Sequence, residues 1–146
     1  MVLNENPRYW FYPDIKGNLE LDEKEQVAVE IIRPTGFQSG DFKKTETRTE
    51  YYPDDQPFDE NGNYKAPKKL RSLTIDVKFN SELILRTCVG EIKNLSVQGE
   101  DGKIREIRNG KELAECRAYG ASAIIDAIVF EVSNDKLSDA KKKNIA

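Results

Sequence analysis

The pattern of hydrophobic residues along this chain predicts an α+β fold, with a small antiparallel sheet in a β-rich N-terminal half and an α-helical C-terminal half packed on it. Three observations carry that expectation. Apolar residues alternate with polar ones at Val27, Val29 and Ile31, and again at Leu73, Ile75, Val77 and Phe79, the period of strands with one buried face. After Phe79 the period lengthens to that of a helix. Strand and helix patterns do not interleave, which argues against βαβ units and a parallel sheet. With 146 residues, the chain is expected to form a single domain, 1–146, β-rich over 8–79 and helical over 80–146.

The elements follow in order. Arg8-Tyr9-Trp10-Phe11-Tyr12, bounded by Pro7 and Pro13, reads as a strand or an anchored extended arm. Lys16-Gly17-Asn18 supplies a turn, and a strand runs from Gln26 to Arg33 until Pro34-Thr35-Gly36 ends it. Gly36 and Gly40 read as part of a plain loop. Asp41 to Tyr52, with Thr45, Thr47 and Thr49 between charges, reads as a solvated edge strand, a weak helix being the alternative. Pro53 to Pro67, rich in Pro, Asp, Asn and Gly, reads as a flexible loop. Leu73 to Phe79 follows as the clearest strand.

In the second half, Asn80 or Ser81 caps a helix carrying Leu85, Cys88, Val89 and Ile92, weakened by Gly90. A hairpin spans 95–107 around Asp101-Gly102. Asn109-Gly110 opens a second helix with Leu113, Cys116 and Tyr119. Ser122 is expected to cap the third, with Ile124, Ile125, Ile128, Val129 and Val132 as its stripe, Asp126 and Glu131 off it, and Asn134-Asp135 as its end. Packing of that stripe on the strand ending at Phe79 would close the core. Leu137-Ser138-Asp139 begins a Lys-rich final turn.

Composition narrows the functional classes. Charged residues make up 34% and hydrophobic ones 38%, with a net charge of -3 and a pI near 5.2. A mildly acidic chain lacks the dense basic face that displaces counterions from nucleic acid, so no nucleic-acid partner is expected. No apolar run reaches the roughly 20 residues of a membrane span, and Met1-Val2-Leu3-Asn4-Glu5 does not open a signal segment. Cys88 and Cys116 read as buried free thiols in a reducing compartment. The expectation is a cytoplasmic protein without a membrane partner.

Chemistry-bearing motifs are sparse. The chain has no histidine, which removes the commonest general base and metal ligand. No metal or cofactor is expected. Asp59-Glu60-Asn61-Gly62-Asn63 looks like the start of a calcium loop. Counted from Asp59, however, Tyr64 and Leu70 occupy the positions that need Gly and a bidentate Glu. Asp54, Asp55, Asp59 and Glu60 are carboxylates on that same loop, and no phosphate-cradling glycine run occurs. Two apolar features remain. The rings of Tyr9, Trp10 and Tyr12 either pack inward or anchor a partner. The stripe carrying Ile125, Ile128 and Val132 is either core or a face shared with another subunit or a partner helix.

The C-terminal part resembles a known family. Val89-Gly90-Glu91-Ile92-Lys93-Asn94-Leu95, then Asp101-Gly102-Lys103, then Asn109-Gly110-Lys111-Glu112-Leu113 precede a helix, and Lys136-Leu137-Ser138-Asp139-Ala140-Lys141-Lys142-Lys143-Asn144 closes the chain. That order is similar to the tail assembly chaperones among the small accessory proteins of tailed bacteriophages. Tyr12-Pro13 and Arg33-Pro34-Thr35-Gly36 are compatible with the family's opening, while Pro53 to Pro67 departs from it. The resemblance implies a non-enzymatic protein in the bacterial host cell that binds the aggregation-prone tape-measure protein during tail assembly. A structural virion component, such as a head-tail connector or tail-associated protein, is the alternative. A homo-oligomer is compatible with both. A His-free enzyme working through carboxylates is the remaining class.

Overall fold

The computed structural model describes residues 1–3, 5–53, 56–66, 69–134 and 142–144. Asp54, Asp55 and the turn expected at Leu137-Ser138-Asp139 lie outside them. In chain order the elements are β1 (Arg8–Phe11), a 3-10 turn (Asn18–Glu20), β2 (Ala28–Ile32), α1 (Gly36–Asp41), β3 (Lys43–Tyr51), β4 (Leu70–Phe79), α2 (Ser81–Cys88), β5 (Val89–Lys93), β6 (Ser96–Gln98), β7 (Ile104–Glu106), α3 (Gly110–Ala114), α4 (Ala121–Ser133) and β8 (Lys142–Asn144). This is an α+β fold with small antiparallel sheets. The chain divides into two compact units, one formed by Met1–Phe42 with Asn80–Ala146 and the other by Lys43–Phe79. Among the described residues, no helix is long and apolar enough to cross a membrane.

The first unit is built on a sheet of order β5-β2-β1-β8, so its strands come from both halves of the chain. Antiparallel pairing sets Tyr9 opposite Ile31, Phe11 opposite Val29, and Val29 opposite Ile92. These residues share one pleat face and all are buried. Leu85, Ile107, Leu113, Ile124 and Ile128 complete that core, while Phe42, Ile84, Cys88 and Val129 form a second cluster. The opposite sheet face carries Trp10 paired with Glu30. There the Lys93 ammonium sits 4.3 Å from the Trp10 ring centroid, and Arg8 reaches Glu30 at 3.4 Å.

Several local expectations give way to tertiary contacts. The helix expected through Ile92 stops at Cys88, and Val89 to Lys93 pairs with β2 instead. Gly90 is therefore a strand residue whose added Cβ would strike the Glu30 carboxylate. Asn80 does cap α2, its side chain accepting from the Leu83 amide. Asn109 likewise caps α3 through the Glu112 amide. That helix ends at Ala114, which leaves Cys116 half-buried beyond it and Tyr119 fully exposed. In α4 the N-cap is Gly120, without a side-chain cap bond, and Ser122 lies inside the helix. The loop expected at Gly36 and Gly40 is α1, nucleated by a capping box in which Thr35 and Gln38 exchange bonds.

The second unit is an antiparallel ribbon. β3 and β4 pair from Lys43 opposite Phe79 to Tyr51 opposite Leu70, with Arg71 as an extra residue on β4 near the far end. Beyond Tyr51, Asp59 closes a tight turn by accepting from the amides of Asn61 and Asn63, both at 2.9 Å. The Phe58 and Tyr64 rings meet edge to face beside it. The segment expected to be a flexible loop thus contains a small hydrogen-bonded hairpin.

Candidate functional site: an exposed apolar ribbon

Cross-strand neighbours in the ribbon sort cleanly by face. Thr45 stands opposite Val77, Thr47 opposite Ile75 and Thr49 opposite Leu73. The other face carries Lys44 opposite Lys78, Glu46 opposite Asp76, Arg48 opposite Thr74 and Glu50 opposite Ser72. β4 therefore presents Leu73, Ile75, Val77 and Phe79 as a continuous stripe. Their exposures are 54%, 58%, 47% and 41%. Strand alternation of this quality normally records a buried face. Here the cross-strand neighbours on β3 are threonines, which supply one methyl each to Leu73, Ile75 and Val77, and Lys43 opposite Phe79.

Lone exposed apolar residues are ordinary on a protein surface, whereas contiguous ones mark interaction sites. A stripe held on a paired strand has fixed spacing and low entropy cost for a docking segment. What it can do chemically is bind apolar surface, with Thr hydroxyls beside it for polar contacts.

The residues expected to bind a partner occupy other places. Tyr9 is 3% exposed, and its hydroxyl donates to Glu131 Oε1 at 2.7 Å. The Arg33 guanidinium lies 5.0 Å from the centroid of its ring. Ile128 is fully buried, and Ile125 and Val132 are half-buried, packed against both core clusters. Tyr9, Ile125, Ile128 and Val132 are thus brought together as core. Trp10 and Tyr12 are half-buried, Trp10 being held on the outer sheet face by Glu30 and Lys93. Glu131, expected off the helical stripe, is 1% exposed. It belongs to the buried face because it follows Ile124 and Ile128 at the i+7 and i+3 positions.

A cleft of about 400 Å³ in the first unit is a second concave feature, walled by Ile15, Val27, Leu95, Val97, Cys116 and Ile124. Its size suits a small ligand. Its most buried polar side chain, Asn18, is already committed to backbone: the amide donates to the Pro13 and Val27 carbonyls, and its Oδ1 accepts from Val27 N. The lining therefore offers little polar discrimination. Cys88, outside the cleft, has its thiol pushed up to about 11 by burial, which keeps it protonated and unreactive. Among the described residues, no three His, Cys, Asp or Glu side chains are grouped to hold a metal.

The fold and the ribbon together define an α+β protein whose β4 strand carries an exposed apolar stripe. No family model, curated protein or solved structure matches this chain.

Proposed function

We propose that this protein is a non-enzymatic binding factor that holds an apolar segment of a protein partner against the ribbon formed by β3 and β4. The supporting observation is the exposed stripe Leu73, Ile75, Val77 and Phe79 on a paired strand. Taken with the resemblance over Leu85 to Asn144, the partner is the tape-measure protein of a tailed phage or prophage, masked during tail assembly. An acidic chain carrying one apolar strip suits that task. It stays soluble while binding with modest affinity, so the tape-measure protein can later be released.

Co-expression with the tape-measure protein tests this reading. The wild-type chain should raise recovery of soluble tape-measure protein, and Ile75→Thr with Val77→Thr should remove most of that gain. Threonine keeps strand propensity at both positions, so loss of the gain would report on the stripe. Unchanged recovery with and without the wild-type chain would sink the proposal. Detection of the chain in purified particles would instead favour the structural role.

A further inference from the structure

The free edge of β3 has a charge sequence that fits itself. All nine residues of Lys43–Tyr51 are exposed, and in the sheet they belong to, the described strands pair with β3 on the β4 side only. The bulge at Arg71 falls on β4, leaving β3 regular along its length. Its polar face reads Lys44, Glu46, Arg48, Glu50, a strict alternation of sign.

We infer that β3 is the dimerisation edge of this protein, pairing antiparallel with β3 of a second copy about a two-fold axis through Thr47. In that register Lys44 faces Glu50 of the second copy and Glu46 faces Arg48 of the second copy. Each pair occurs twice by symmetry. Thr45 meets Thr49 and Thr47 meets itself on the opposite face. Antiparallel neighbours of opposite charge stabilise a sheet, and like charges destabilise it.

Competing registers fail on the same residues. A slip by two positions in one direction sets Lys44 against Arg48 and Glu46 against itself. In the other direction it sets Glu46 against Glu50 and Arg48 against itself. A slip by one brings threonines against charges and inverts the faces. In-register parallel pairing stacks every charge on its own kind. A slip by four keeps one kind of opposite-charge pair, Lys44 with Glu46 or Arg48 with Glu50, so among antiparallel registers the one centred on Thr47 matches all four charged positions.

The ribbon also has a reason to accept a second copy. Within one chain Lys44 stands directly opposite Lys78, and Glu46 directly opposite Asp76. These like-charge pairs are relieved along the strand by Lys44–Glu46 at 3.3 Å and diagonally by Lys78–Glu46 at 3.9 Å, between well-exposed side chains. The second copy places an opposite charge on the other side of each. Two-stranded ribbons are marginal in water, and pairing through β3 creates a four-stranded sheet of order β4-β3-β3-β4. An edge meant to repel its own kind would carry one sign throughout.

This pairing uses the strand edge and leaves the apolar face open, so it stands apart from the partner-binding reading. Sedimentation of the full chain tests it. The wild type should sediment as a dimer, and Arg48→Glu should raise the dimer dissociation constant by roughly tenfold or more. Glu46→Arg combined with Arg48→Glu should restore dimerisation. In a Cys116→Ser background, Thr47→Cys should oxidise to a disulfide-linked dimer, because residues facing across the axis lie within bonding range. Thr45→Cys should not, since its counterpart would lie about 13 Å away along the strand. A wild-type monomer from micromolar to near-millimolar concentration would overturn the inference. So would an Arg48→Glu dimer of unchanged strength, failure of the folded double variant to re-associate, or equal crosslinking at positions 45 and 47. Ile75→Thr and Val77→Thr leave the edge intact, so a stripe variant that still dimerises but loses the partner separates failure of one reading from failure of the other.

Discussion

Cys88 shows how burial converts a reactive side chain into an inert one. It packs with Phe42, Ile84 and Val129, and desolvation raises its thiol from 9.0 to about 11. A group held protonated in the folded state stabilises that state below its unfolded value and loses the benefit as pH climbs through the folded one. The stability gap between wild type and Cys88→Ala should therefore narrow between about pH 9 and 11, measured by denaturant titration. A gap that widened with pH would contradict this environment for the thiol. Other single residues were legible in advance to different degrees. The capping roles of Asn80 and Asn109 follow from side-chain chemistry and need no tertiary knowledge. The burial of Glu131 sits in the i+7 spacing from Ile124, yet its charge argues the other way. The Tyr9 hydroxyl, 122 positions away in sequence, helps make the site tolerable.

At the scale of elements, the contact between α2 and α3 depends on an absent side chain. A Cβ on Gly110 would run into the Leu85 carbonyl and lie 2.8 Å from the Val89 Cβ. Gly110→Ala should destabilise the chain by about 1–3 kcal/mol through overpacking, read as a lowered unfolding midpoint. Wild-type stability in that variant would show that the helices part easily. The strands around 27–31 and 73–79 were readable because a period of two needs no long-range information. The run from Val89 to Ile92 reads as helix because Leu85, Cys88, Val89 and Ile92 are spaced three or four residues apart or adjacent. Both Val89 and Ile92 face the core of the sheet through a register shift between Val29 and Ile31 that no local pattern announces. Pairing with β2 decides it. The exposure of β4 was hidden for another reason. Alternation reports that one face is apolar, not what covers it. The threonines of β3 were the signal that the ribbon could not cover itself.

For the whole molecule, the chain leaves and re-enters the first unit at neighbouring points. The Asn80 amide donates to the Phe42 carbonyl at 2.8 Å, so Lys43–Phe79 is inserted through a closed neck. Replacing Lys43–Phe79 with a short Gly-containing turn should leave a protein that melts cooperatively near the wild-type temperature, since the buried residues of both core clusters lie outside the excised segment. Loss of cooperative melting would mean the first unit needs the ribbon to fold. The α+β class was legible from the change of period at Phe79. The division into units was not, because it depends on the neck and not on any shift in composition. The sheet of the first unit likewise recruits β5 and β8 from the half expected to be helical.

Trp10 is the only tryptophan in the chain, half-buried under the Lys93 ammonium, while the ribbon's aromatics are phenylalanine and tyrosine. Selective excitation of the indole thus gives an optical reporter confined to one folding unit. Its emission follows the loosening of the β5-β2-β1 sheet, so melting of that unit can be timed in an unlabelled sample.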